Sequence, residues 1–101
     1  MKGKDIKAII RGHLISVHIM PRKLKMVGDD FFKTRYYTII VGEKQVSFKQ
    51  GNDIRTFIYE DVKDFYLKNN DTFVFVVGNK EELRFTIAKP IFKKEQRPIK
   101  N

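Results

Sequence analysis

Between Thr34 and Ile87 apolar and polar positions alternate in short runs: Tyr36 to Val41, Gln45 to Lys49, Ile54 to Tyr59, Lys63 to Lys68, Thr72 to Val77 and Glu82 to Ile87. The runs are rich in β-branched and aromatic residues. The gaps between them hold Gly, Asn or Asp, which accept turn dihedrals at low cost. Successive residues of a strand face opposite sides, so Leu83, Phe85 and Ile87 share one face while Glu82, Arg84 and Thr86 share the other. Phe73, Phe75 and Val77 likewise line one face. Gaps this short join antiparallel neighbours, because a parallel return needs about a dozen residues or more. The pattern predicts a mainly β fold, an antiparallel meander forming a small open barrel or roll. In its last hairpin Val77 is expected opposite Glu82, and Asp71 opposite Ala88.

The segment before the meander supports two readings. Ile6, Ile9, Ile10, His13, Leu14 and Val17 recur at helical spacing. Leu14 to Met20, however, is rich in β-branched residues, alternates, and ends at Pro21, while Gly12 weakens a continuous helix by about 1 kcal/mol relative to Ala. The expectation is an extended segment over Leu14 to Met20, preceded by a helical turn. The alternative is an α+β arrangement with an amino-terminal amphipathic helix packed on the antiparallel sheet. Pro21 to Lys33 is expected to be a connection or bent strand entry, with Phe31 or Phe32 plugging an end of the sheet. After the meander, Lys89-Pro90 opens a short helix that Pro98 limits to about two turns.

Charge divides the chain more sharply than hydropathy does. The formal net charge is +9 over 101 residues. The stretch from Thr34 to Ile87 has eight Lys and Arg against eight Asp and Glu, whereas residues 1–33 carry +5 and residues 88–101 carry +4. This suggests a single domain with a basic amino-terminal segment (1–33), a neutral β core (34–87) and a basic carboxyl-terminal tail (88–101). Such an excess at the ends is a solvated flank or a field that attracts an anionic partner. The sequence contains no cysteine, which removes disulfides and thiolate zinc sites and fits a cytoplasmic location. Lys7, Arg11, Gly12, His13 and His18 interrupt the apolar positions near the start, so neither a secretory signal nor a membrane-spanning helix is expected.

At the corner Phe57-Ile58-Tyr59-Glu60-Asp61-Val62, followed by hairpins and then by Phe85 to Phe92, the chain resembles small bacterial pleckstrin-homology-like domains, the GRAM-type group included. The resemblance runs over roughly residues 34–92. In that group an aromatic-x-x-Asp-hydrophobic corner lies between strands, and the final strand leads into a Pro/Lys helix start. The resemblance implies a binding or scaffolding module without enzymatic activity and specifies no ligand. The helix that closes such a roll is short and poorly apolar here, which makes the amino-terminal segment the alternative cap.

The side chains that carry chemistry agree with that expectation. His13 and His18, five residues apart, fall on opposite faces of a strand or about 140° apart on a helix, an unsuitable pair for one metal ion. The expected register separates Asp71 from Glu82 by roughly 20 Å, too far to share an ion. Ser16 and Ser47 lie in no glycine-rich elbow or phosphate loop. No cofactor is implied, and a non-catalytic module is expected. The candidate contacts for an anionic partner are Arg11, Arg22, Lys23, Lys25, Lys93, Lys94 and Arg97, with Tyr36, Tyr59 and Tyr66 available to stack on bases. The partner classes are an acidic protein met by an adaptor, nucleic acid bound without sequence preference, and an anionic membrane met by the Lys- and Ile-rich amino terminus. Oligomeric state is not specified by any of these features.

Overall fold

Helix α1 (Gly3–Ser16) leads into eight strands: β1 (Arg22–Lys23), β2 (Asp30–Lys33), β3 (Thr38–Val41), β4 (Gln45–Gln50), β5 (Asp53–Ile58), β6 (Asp64–Lys68), β7 (Thr72–Val77) and β8 (Glu81–Thr86). A 3₁₀ turn, Tyr59–Asp61, separates β5 from β6. The computed structural model describes residues 3–23 and 29–87. All neighbours are antiparallel and follow chain order. Strands β1 to β5 form the larger sheet and β6 to β8 the smaller one. The meander is thus an open roll of two sheets with a helix at one end. The carboxyl-terminal helix expected from Pro90 lies outside the described residues.

The core is the aromatic seam between the sheets. Phe48 of β4 stacks on Phe85 of β8 with centroids 4.2 Å apart and planes 12° from parallel, and Phe57 of β5 stacks on Phe75 of β7 at 4.1 Å and 4°. Edge-to-face contacts join Phe48 to Phe57 and Phe75, and Tyr37 to Phe48 and Phe85. Such pairs each add about 0.5–1.5 kcal/mol beyond the burial of their area. Alternation supplies these rings. Leu83 and Phe85 of β8, with Ile87 just beyond it, turn inward while Glu82, Arg84 and Thr86 are exposed, as the pattern predicted.

Turn chemistry shifts one register. Val77 lies opposite Glu81 rather than Glu82, and Ile87 donates its N–H to the Asp71 carbonyl at 2.7 Å, so Asp71 faces Ile87 rather than Ala88. Gly78 (φ 55°) and Lys80 (φ 68°) both take left-handed conformations, which closes the β7–β8 hairpin one residue earlier. Asn, Asp and His are the non-glycine residues enriched at such angles, and Lys80 gave no local signal of one. Asp71 and Glu82 still stand roughly 17 Å apart along the strand.

In the amino-terminal segment the extended reading fails and the alternative, an amphipathic helix packed on the sheet, holds. Leu14 to Met20 is not extended: the helix runs through Ser16, and its apolar stripe, Ile6, Ile10 and Leu14, is fully buried. Burying each of these aliphatic side chains contributes about 1.5–3 kcal/mol. That outweighs the cost of Gly12, which sits on the solvent side with open space around it. Helix α1 bridges the two sheets. The His13 ring meets Phe73 of β7 edge-on at 5.7 Å, and Arg11 and Lys7 reach Asp30 of β2 and Glu43 of the β3–β4 turn. The helix ends because His18 takes φ 68°, His18 N–H bonds to the Ile15 carbonyl, and Ile19 N–H bonds to the Leu14 carbonyl. This double bond pattern is a Schellman motif, with Ile19 buried over Leu14 as its apolar contact. Of the two readings of Pro21 to Lys33 the strand entry holds, since the stretch contributes β1 and β2, and of its two rings Phe32 is fully buried and Phe31 half-buried.

Phe48→Ala is expected to lower the free energy of unfolding by about 3–5 kcal/mol in urea denaturation, and a loss below 1 kcal/mol would contradict the seam's role. His18→Gly relieves a left-handed residue with a Cβ and is expected to stabilise the protein by about 1 kcal/mol. A clear destabilisation would mean that the imidazole's own contacts outweigh that strain.

Candidate anionic-partner interface

Residues paired across neighbouring strands share a face, so the registers define what each sheet presents outward. The outer face of the larger sheet has one row of Arg22, Phe31, Ile40, Ser47 and Thr56, and a second row of Lys33, Thr38, Lys49 and Ile54. Gln45 and Ile58 begin a third. These two full rows hold three cations and no carboxylate, together with apolar side chains that water reaches. Ile54 is 61% exposed and Ile58 46%, while Phe31 and Ile40 are half-buried. Ser47 and Thr56 satisfy each other through a 2.8 Å hydroxyl contact, leaving no bare hydroxyl pair in the middle of the face.

The smaller sheet differs. Its outer face sets Lys68 beside Thr72 and Thr86, Tyr66 beside Val74 and Arg84, and Asp64 beside Val76 and Glu82. Cations and carboxylates balance there, Arg84 bonds to Glu82 at 2.7 Å, and Val74 is fully buried between its neighbours. The two outer faces therefore differ in charge, because the larger sheet adds Arg22 and Lys33, from the first 33 residues, to Lys49.

The carboxylates missing from the basic face are held elsewhere. Asp30 points inward from β2, 8% exposed at its side chain, and accepts a hydrogen bond from Arg11 Nε at 2.8 Å. Glu43 accepts one from Lys7 Nζ at 2.7 Å. Asp29 lies at the far end of the face, where its carboxylate comes within 3.1 Å of the space a Cβ on Gly42 would occupy. A side chain at position 42 would press on that carboxylate. Beneath it, the Tyr59 hydroxyl donates to the Gly42 carbonyl at 2.8 Å. Burial pushes the Tyr59 phenol well above its ordinary value, and the negative charges of Glu43 and Asp29 add to the rise.

These positions revise the sequence-derived candidates. Arg11 is committed to Asp30, and Tyr59, 2% exposed, has no ring face free for a base; both are corrections. Arg22 is exposed on β1. Lys23 pairs with Asp30 along the β1–β2 backbone, and nothing further is described for it. Tyr36 is exposed in the β2–β3 turn, and Tyr66 is on the smaller sheet with a long 3.5 Å hydrogen bond to Glu82, so neither belongs to the basic face. Lys25, Lys93, Lys94 and Arg97 lie outside the described residues. The reading of residues one by one missed Lys33, Lys49, Ile54 and Ile58. The signal for them was alternation: Lys33 and Lys49 each stand one residue from an inward Phe, and Ile54 and Ile58 lie an odd number of residues, three and one, from the inward Phe57.

Between β5 and β8 the sheets part, leaving grooves of about 420 and 350 Å³ that share Arg55 and Leu83 in their walls. Arg55 on β5 and Glu81, Glu82 and Arg84 on β8 place charges along both edges, the device that blunts strand-to-strand association. Among the described residues no group of three His, Cys, Asp or Glu could hold a metal ion. No described helix is long and apolar enough to cross a membrane. Compared with models of known protein families, with curated proteins and with solved structures, the chain matches none.

Because the native state holds Tyr59 neutral, the unfolded chain ionises first. Stability is therefore expected to be fully present below about pH 10 and to fall as the pH rises beyond it. Tyr59→Phe is expected to flatten that alkaline decline while costing about 1–2 kcal/mol at neutral pH for the buried carbonyl left without its donor. Urea titrations at several pH values would show both effects, and an unchanged alkaline slope would contradict the assignment.

Proposed function

We propose that this protein is a non-catalytic binding module, an adaptor of pleckstrin-homology-like build, that engages an anionic partner through the outer face of its larger sheet. The observation that carries this reading is the one-sided charge: Arg22, Lys33 and Lys49 share a face with exposed Ile54 and Ile58, while the carboxylates of Asp30 and Glu43 bond to cations of α1. Cations at the rim steer an acidic surface into place and set its salt dependence. Exposed aliphatic side chains add contact area, and they favour an acidic protein over single-stranded nucleic acid, whose bases stack on aromatic rings. A cytoplasmic setting accords with the absence of cysteine. The membrane reading loses its original basis, because Ile6 and Ile10 of the amino-terminal helix are core residues.

The test separates position from total charge. Lys33→Glu with Lys49→Glu changes the net charge by as much as Lys63→Glu with Lys68→Glu, which alters residues associated with the smaller sheet. Binding to poly-glutamate and to a mixed-sequence single-stranded oligonucleotide, followed by fluorescence anisotropy, is expected to weaken at least tenfold in the first pair and far less in the second. In the oligonucleotide arm the slope of log affinity against log salt should fall by about 1.4 if both lysines contact phosphates. Equal losses in the two pairs would refute a localised interface.

A further inference from the structure

We propose that His18, Arg22 and Lys33 form a seat for a phosphate group where the helix meets the sheet. This inference rests on the proposed anion-binding function and assigns it a specific site. An open depression of about 670 Å³ lies there, lined by His18, Ile19, Met20, Pro21, Arg22 and Lys33. Among the described residues its walls contain two cations, one imidazole and no carboxylate.

Each polar group arrives by a different element. His18 occupies the left-handed position that ends α1, with φ 68°, where glycine is the easier residue and a Cβ carries strain. The chain nevertheless places an imidazole there, and non-glycine residues in such conformations concentrate at ligand clamps. Arg22 is on β1 opposite Phe31, so Lys33, two residues further along β2, is its diagonal neighbour on the same face at roughly 7–8 Å. A guanidinium presents a planar fork to phosphate oxygens, an ammonium supplies a compact charge beside it, and an imidazole N–H can donate a third bond.

The remaining lining is apolar. Met20 is 63% exposed, and Pro21 fixes the backbone between it and Arg22. A phosphate ester with a short aliphatic body therefore fits better than the bare ion, since its chain can lie on Met20 and Pro21. The shared chemistry is the phosphate, and the two probes separate its sources.

¹H–¹⁵N and methyl ¹H–¹³C spectra of the full chain, titrated with inorganic phosphate and separately with hexyl phosphate at constant ionic strength, test the site. Both probes are expected to shift the amides of His18 to Arg22 (Pro21 has none) and Lys33, with hexyl phosphate binding about tenfold more tightly and also moving the Met20 methyl signal. Arg22→Ser with Lys33→Ser should weaken both at least tenfold while thermal unfolding stays cooperative. His18→Gly should weaken them too, without destabilising the fold. Shifts scattered over all surface cations, or affinities unchanged in these variants, would overturn the seat. If the seat fails while polyanion binding remains sensitive to Lys49→Glu, the interface reading survives; if both fail, both readings fall.

Discussion

Two parallel-stacked phenylalanine pairs, Phe48 on Phe85 and Phe57 on Phe75, are the constraint on which this structure depends. Each pair takes one ring from either sheet, so each sheet can bury its inner face only by meeting the other. A three-stranded antiparallel sheet with one apolar face must bury that face against another element. The connection between the sheets is the 3₁₀ turn at Tyr59, whose own side chain is buried and bonded to Gly42. That connection is covalently short, and the aromatic seam fixes the angle at which the sheets stand.

The helix completes what the sheets leave open. Its stripe of Ile6, Ile10 and Leu14 covers the end of the seam, and Arg11 and Lys7 fix it to Asp30 and Glu43. The same two pairs engage carboxylates that would otherwise offset the sheet's cations. Breaking the partly buried Arg11–Asp30 pair would leave a carboxylate without one of its bonds in a poorly hydrated place, a strongly unfavourable outcome. The helix and the charge balance of the larger sheet are thus linked, because Arg11 and Lys7 neutralise Asp30 and Glu43 beside it.

The alternation of the hairpins was legible because Phe73, Phe75, Leu83 and Phe85 are spaced for strands and their turns hold Gly and Asn. The helix was legible only as the second of two readings, because Leu14 to Met20 satisfies both periods and the decision lies in a tertiary contact: the Ile6, Ile10 and Leu14 stripe matters only when a seam end is there to receive it. The β7–β8 register slipped by one because Lys80 takes a left-handed angle that its residue type does not announce. The site was harder still. Summing charge along the chain placed the positive excess at the ends, whereas Arg22 and Lys33 are drawn from the first segment into the sheet and join Lys49 there. A face is a property of register, and register requires the pairing of strands distant from one another in the chain.

The central claim is that one outer face, and not the chain's overall charge, receives the anionic partner. Amide chemical-shift mapping during titration with poly-glutamate tests it most directly. The account predicts shifts confined to Arg22, Lys33, Thr38, Lys49, Ile54 and their neighbours on the larger sheet, with Tyr66, Lys68 and Arg84 on the smaller sheet unmoved. Shifts of equal size on both sheets, or centred on the smaller one, would contradict it.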